Sequence, residues 1–238
     1  MPVSIWYNNQ KEGYGLRYRK LHLWDVTPEE AIKIQQGLKR YICLKSAFTE
    51  IKKVAGADAA YHNGIVIAGV VVLEYPSLKI IESKYSVSPV TFPYIPGLLI
   101  FREGPALLKT FEKIKNKPDV IIFDGQGIAH PRRMGIATHL GILLDSPSIG
   151  CAKSILTGEY VSIGEEKGDF TILKDGSDTV GAVLRTKRGV SPVFVSPGHK
   201  IDIITSMEII LKCIGKHKLP EPVRQAHIFV KRVQKVRD

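Results

Sequence analysis

Apolar positions change rhythm along this chain, and each rhythm predicts a different element. Ala31, Ile34, Leu38 and Ile42 recur at helical spacing. They follow Thr27-Pro28-Glu29-Glu30, which carries the marks of a helix start. Thr27 can cap, Pro28 suits the first helical position, and Glu30 completes a capping box. This predicts an N-terminal helix over about 27–44, packed on the core. Three strand-like runs come next, at Val54–Tyr61, Ile65–Glu74 and Lys79–Val87. His62-Asn63-Gly64 supplies the strongest short hairpin signal between the first two. Tyr75-Pro76-Ser77 turns the chain before the third. Strands joined this tightly run antiparallel.

The rhythm then alternates. Leu108 and Phe111 predict a helix over Pro105–Lys115, and the uninterrupted apolar run from Val120 to Phe123 ends in Asp124. A run of this kind suits a strand buried on both faces. A helix over Met134–Leu144, a strand at Ser148–Ala152, strands at Val180–Arg185 and Val193–Val195, and helices over Ile201–Ile214 and Pro222–Val236 complete the reading. The predicted class is α/β: a mixed sheet of a three-stranded antiparallel meander plus parallel strands, flanked by helices. This order resembles the ribonuclease H-like architecture. No repeat, low-complexity linker or composition break divides the chain, so residues 1–238 read as a single domain.

Composition narrows the function classes. A hydrophobic share of 44% supports a sizeable core. The longest apolar run, Ile65–Leu73, falls far short of the roughly 20 residues a membrane span needs. Met1–Gln10 lacks a basic region followed by an apolar one, so no secretory signal is expected and the protein reads as cytoplasmic. Lysine and arginine total 34 against 23 acidic residues, a balance of +11. Solubility alone is the plainer account, but a fold does not need that excess, and a balance this large favours polyanion binding over it. Cys43, Cys151 and Cys213 are far apart and form no Cys-x-x-Cys pair. That argues against a cysteine zinc site and for reduced thiols.

Three carboxylates sit where an apolar or small side chain is usual. Asp58 interrupts the first strand, Glu103 stands at the entry to the Pro105 helix, and Asp124 ends the buried strand ahead of Gly125-Gln126-Gly127. Read singly, each has an ordinary account: an edge-strand charge, a helix N-terminal acid, a turn initiator. Read together, they form a cluster if the first and fourth strands are neighbours. Clustered carboxylates repel unless they share a cation, and oxygen ligands favour magnesium or manganese. Such a centre suits phosphodiester hydrolysis.

Eight motifs then make the chain resemble the endonuclease V family over roughly residues 27 to 233. They are Val54-Ala55-Gly56-Ala57-Asp58; Phe92-Pro93-Tyr94-Ile95-Pro96-Gly97; Phe101-Arg102-Glu103; Asp124-Gly125-Gln126-Gly127 with His130-Pro131-Arg132; Gly135-Ile136-Ala137 with His139-Leu140-Gly141; Gly150-Cys151-Ala152-Lys153-Ser154; Ser196-Pro197-Gly198-His199; and Arg224-Gln225-Ala226-His227. The resemblance implies a ribonuclease H-like, magnesium-dependent enzyme in which manganese can substitute. It implies a nick in DNA at the second phosphodiester 3′ of deoxyinosine, leaving a 3′-hydroxyl and a 5′-phosphate and starting repair of deaminated adenine. By the same resemblance Asp58 and Asp124 bind metal, and Glu103 acts on it directly or through water. His227 lies near the scissile phosphate and Lys153 meets phosphate charge. Pro93, Tyr94, Ile95 and Pro96 form a wedge, while Gly97, Gly125, Gly127 and His130 line a base pocket.

Some of this has independent physics. Two prolines stiffen the loop around Tyr94, and a tyrosine there can stack where a base has left. Read without the family, Tyr94 is equally a core aromatic in a rigid turn. His139 and His199 read as structural. The polar segment Gly158–Gly176 has no functional account, and the basic stretch Lys231–Arg237 reads either as a contact to nucleic-acid backbone or as a solvated helix end. The expected partner is DNA containing deoxyinosine, bound by a monomer with no membrane partner. Inosine-containing RNA is the alternative substrate, since discrimination would rest on the 2′-hydroxyl. A non-catalytic binder of distorted nucleic acid would not need the three carboxylates. A nucleotide-cofactor enzyme is disfavoured, because His130 stands where a dinucleotide fingerprint needs its third glycine.

Overall fold

The computed structural model describes residues 15–46 and 48–237. The reading of Met1–Gln10 lies outside the described residues. Among the described residues, eight strands form one sheet in the order β3-β2-β1-β4-β5-β8-β7-β6. The meander comprises β1 (Lys53–His62), β2 (Ile65–Glu74) and β3 (Ile80–Pro89), all paired antiparallel. Asn63 and Gly64 make the first turn, with φ of 44° and 77°. β4 (Val120–Phe123) then pairs parallel to β1, and β5 (Ser148–Ala152) parallel to β4. β8 (Val193–His199), β7 (Asp178–Leu184) and β6 (Phe170–Asp175) complete the sheet antiparallel. The expected meander followed by parallel strands is present, in ribonuclease H-like order.

Helices cover both faces. α2 (Leu99–Phe111) and α3 (Ile136–Leu144) pack on one face, burying Phe101, Leu107 and Leu140 against Ala57, Ala68 and Phe123. α4 (Ile203–Lys212) and α5 (Glu221–Lys235) pack on the other, with Val223, Ala226 and Ile210 against Val54, Ile122 and Cys151. Gly56 makes the second contact possible. A Cβ there would stand 1.9 Å from the Pro222 carbonyl oxygen, so α5 can lie directly on β1 only over a glycine.

Three elements differ from the sequence reading by more than two residues at a boundary, and β6 has no counterpart in it. The N-terminal helix α1 spans Pro28–Leu38 rather than 27–44, with the Thr27/Glu30 capping box formed as expected. A single 3₁₀ turn, Lys39–Tyr41, ends it, and Ile42 is extended. α2 starts at Leu99, so Pro105 lies inside the helix and Glu103 in its second turn, not at its entry. Burial of Ile100, Phe101, Leu107 and Leu108 along one face outweighs the backbone hydrogen bond Pro105 cannot donate. β8 runs on through Pro197 to His199, because both of its faces are buried. Among the described residues no helix is long and apolar enough to cross a membrane.

Candidate active site

β4 stops at Phe123, whereas β1 continues to His62. Their last paired residues are Ala57 and Phe123. Asp58 and Asp124 are therefore next in line on two neighbouring parallel strands, which lie about 4.8 Å apart. Each carboxylate already has a cationic or protonic partner. His227, on α5, donates from Nδ1 to Asp58 Oδ2 at 2.8 Å. Lys153, immediately after β5, places Nζ 2.5 Å from Asp124 Oδ2. Burial raises the Asp58 pKa and the charge of Asp124 adds to it, while the contact with His227 opposes both. Burial draws Lys153 down, but Asp124 and Asp58 outweigh it and hold the ammonium charged above its usual range.

Glu103 approaches from the other side of the sheet. Asp58 shares the α5 face of β1 with Val54, whereas Glu103 comes from α2 and accepts a hydrogen bond from the Tyr61 hydroxyl at 2.9 Å. Arg102 lies over the Tyr61 ring at 4.4 Å from its centroid. Burial pushes the Glu103 carboxyl up to about 8; the Tyr61 hydrogen bond opposes this, and Asp58 and Asp124 reinforce it. Burial and the Glu103 charge together raise the Tyr61 phenol above its usual value.

The expected set of three metal ligands is thus divided. Among the described residues no three His, Cys, Asp or Glu side chains stand close enough to hold an ion by themselves. The cause is the sheet: two aspartates arrive on adjacent strands, and the glutamate arrives from the opposite layer, tied to Tyr61. The donor chemistry still fits a hard divalent cation. Two neighbouring carboxylates, the charge of Asp124 raising the cost of ionising Asp58, would offer oxygen to an ion whose remaining positions water and phosphate can fill.

A cleft of about 320 Å³ opens beside Asp124. Tyr94, Ile95, Pro96, Gly97, Asp124, Gly125, His130 and Lys153 line it, together with Gln126, Met134, Ile155 and Leu156. Tyr94 is 70% exposed, which removes the core-aromatic account. His130 is buried, and burial lowers its pKa to about 4, so the ring is neutral. Its Nδ1 accepts from the Arg132 and Met134 amides, which leaves the proton on Nε2 to donate to the Gly97 carbonyl. Two expected residues do not reach the cleft. Gly127 packs against β8, its N–H donating to Ser196 Oγ at 2.7 Å, and Pro93 is absent from the lining. Asp58, Glu103 and His227 also lie outside it, behind Asp124.

A family model described as Endonuclease V matches residues 36–228. The chain belongs to the endonuclease V family. It is 48% identical over 215 residues to endonuclease V of Methanothrix thermoacetophila, covering 90% of this chain and 96% of that protein. Endonuclease V of Streptomyces avermitilis superposes with a TM-score of 0.85 at 39% identity, covering 89% of this chain and 95% of the other. Endonuclease V of Ciona intestinalis superposes with a TM-score of 0.79 at 26% identity. That structure is of an aspartate-to-asparagine variant in complex with a 23mer DNA containing an inosine followed by a ribo-adenosine. The match covers 90% of this chain and all of the other. Membership makes this chain a nuclease, a phosphodiester hydrolase.

Sequence reasoning gave no role to three residues at this endonuclease V site. Gln126 lines the cleft, donates to the Ser154 carbonyl at 2.9 Å, and buries Oε1 without a partner. Its place between two glycines was the available signal. Tyr61 shares β1 with Asp58, three residues on, but the sequence gives no sign that it reaches Glu103. Leu156, 43% exposed, had no signal at all.

Proposed function

We propose that this chain nicks DNA at the second phosphodiester 3′ of a deoxyinosine, leaving a 3′-hydroxyl and a 5′-phosphate, and so initiates repair of deaminated adenine. The observation that carries the reading is the juxtaposition of the Asp58–Asp124 pair with a cleft bordered by an exposed Tyr94. The inosine in the DNA bound to the Ciona protein supports the choice of lesion.

In this reading Asp58 and Asp124 hold a divalent cation, magnesium with manganese as a substitute, and Glu103 acts on it directly or through water. When bound, such an ion polarises a phosphoryl oxygen and lowers the pKa of an attacking water. Lys153 then exchanges part of its contact with Asp124 for a phosphate oxygen. His227, its Nδ1 proton fixed on Asp58, turns Nε2 toward the scissile phosphate. Tyr94 stacks into the gap left by the extruded base, supported by Pro93, Ile95 and Pro96, and the cleft at Gly97, Gly125 and His130 receives that base. The positive excess of the chain, +11, holds the backbone. The protein acts as one domain and a monomer.

The test is an end-labelled duplex with one deoxyinosine, incubated with magnesium or with chelator. The expected result is a single magnesium-dependent nick at the stated bond. A ribo-adenosine follows the inosine in the Ciona complex, so a matched inosine RNA belongs in the same assay. Faster cleavage of that RNA would replace DNA as the substrate. Binding without a nick under any divalent metal would leave a non-catalytic binder.

A further inference from the structure

Among the described residues, one carbonyl collects three side-chain donors. The Gly97 oxygen accepts from Gln35 Nε2 at 3.0 Å, His130 Nε2 at 2.9 Å and Arg132 Nη2 at 2.9 Å. A carbonyl offers two lone pairs, so three donors saturate it and fix its direction. Gly97 closes the Pro93–Pro96 loop with φ of 79°, and a Cβ there would stand 2.8 Å from Arg132 Nη2. The position therefore needs glycine both for its backbone and for the closeness of the clamp.

Gln35 ties this clamp together. It sits on α1, wholly buried, far from the loop in sequence. Its Oε1 accepts from Arg132 Nε at 2.5 Å, while Nε2 donates to both the Gly97 and Met134 carbonyls. The amide has one satisfactory orientation, since flipping it would set oxygen against two carbonyls and nitrogen against a guanidinium. The other end of the loop is anchored separately: Phe92 is buried, and its carbonyl accepts from Arg102 Nη1 at 3.4 Å. Tyr94 projects between two fixed ends. A buried glutamine with every polar atom committed costs more to place than an apolar residue, and packing α1 does not require it.

We propose that Gln35 is a positioning residue for the wedge, and that α1 serves to hold the Tyr94 loop in the geometry that separates bases at the lesion. The functional half rests on the reading that Tyr94 enters the helix at inosine; the clamp itself does not. Pre-organisation of this kind acts by removing the ordering cost at the moment of binding.

The test uses Gln35→Met, which keeps the bulk and removes all three hydrogen bonds, and Gln35→Glu, which keeps the acceptor for Arg132 and removes both donors. Thermal melting identifies which of the two folds like the parent. Hydrogen exchange in the free protein then follows the Leu98 amide, which donates to the Ile95 carbonyl inside the loop. We expect its exchange to quicken by about tenfold, the equivalent of one lost hydrogen bond. In parallel, kcat/KM is compared for inosine and plain duplexes, and 2-aminopurine beside the lesion reports unstacking. The inosine preference should fall by about tenfold and the fluorescence rise on binding should shrink. Unchanged exchange in a folded variant overturns the clamp. Faster exchange with full preference and full fluorescence overturns its link to recognition. If the parent protein shows no inosine preference, the proposed lesion fails, and the exchange result alone decides the clamp.

Discussion

Replacing Glu103 with glutamine isolates the charge this site tolerates least. Burial moves the carboxyl from its usual 4.5 to about 8. The folded value lies above the unfolded one, so between them the folded chain binds the proton more tightly. The resulting stability is fully present below 4.5 and is lost as pH rises through about 8. Each pH unit of that interval is worth about 1.4 kcal/mol, which sets a ceiling of about 5 kcal/mol on the loss. Glutamine carries no charge but buries an amide nitrogen without partners, at about 1–3 kcal/mol. Under chelator, Glu103→Gln should therefore be less stable than the parent at about pH 5 and more stable by about 2 kcal/mol at about pH 8.5. Urea unfolding at both values measures this. His22, His130, His139 and His199 also titrate, each held below its usual 6.5 by burial. They cost both proteins stability as pH falls through 6.5, so the difference between the two proteins, not either curve, reports Glu103. A difference that keeps one sign across the range would refute the reasoning.

Asp124→Asn should abolish nicking of the inosine duplex while fluorescence anisotropy still detects binding, because Lys153 and any cation lose their charged partner; retained turnover would remove Asp124 from the chemistry. Tyr94→Ala should lower discrimination between inosine and plain duplexes by more than it weakens binding to plain duplex, measured by competitive titration. Equal losses would make Tyr94 a general contact. Affinity for duplex should fall steeply with salt, by about 0.9 in logarithmic slope for each phosphate contacted. A flat response would separate the chain's positive charge from its binding surface.

Much of the site was legible because chemistry leaves marks on an apolar background. Asp58 stands out inside a strand of alanines and valine, and Asp124 ends a run of buried aliphatics; each predicts its own position. Their meeting at the ends of adjacent strands was inferable only through topology, once β1 and β4 were taken as neighbours. Local turn chemistry was equally plain at Asn63-Gly64 and at the Thr27 cap. The misses share a different cause. α2 begins at Leu99 without a side-chain cap, so Pro105 offered the stronger false start. β6 has a single buried residue, Leu173, and 50% of Phe170 is exposed, so no alternation marks it as a strand. Gln35 and Tyr61 have roles set by contacts made across 62 and 42 residues of chain, and nothing near them in sequence encodes those partners.

The cleft takes in Asp124 but neither Asp58 nor His227. On the proposed reading, a base seated in the cleft meets Tyr94, Gly97, Gly125 and His130, with Asp124 and Lys153 in the same lining. The His227–Asp58 pair lies outside that lining, on the α5 side of β1. On that reading the strand runs from the cleft past Lys153 toward His227. On the proposed reading, the lesion and the bond that is cut are handled by different residues of one site, joined at Asp124 and Lys153.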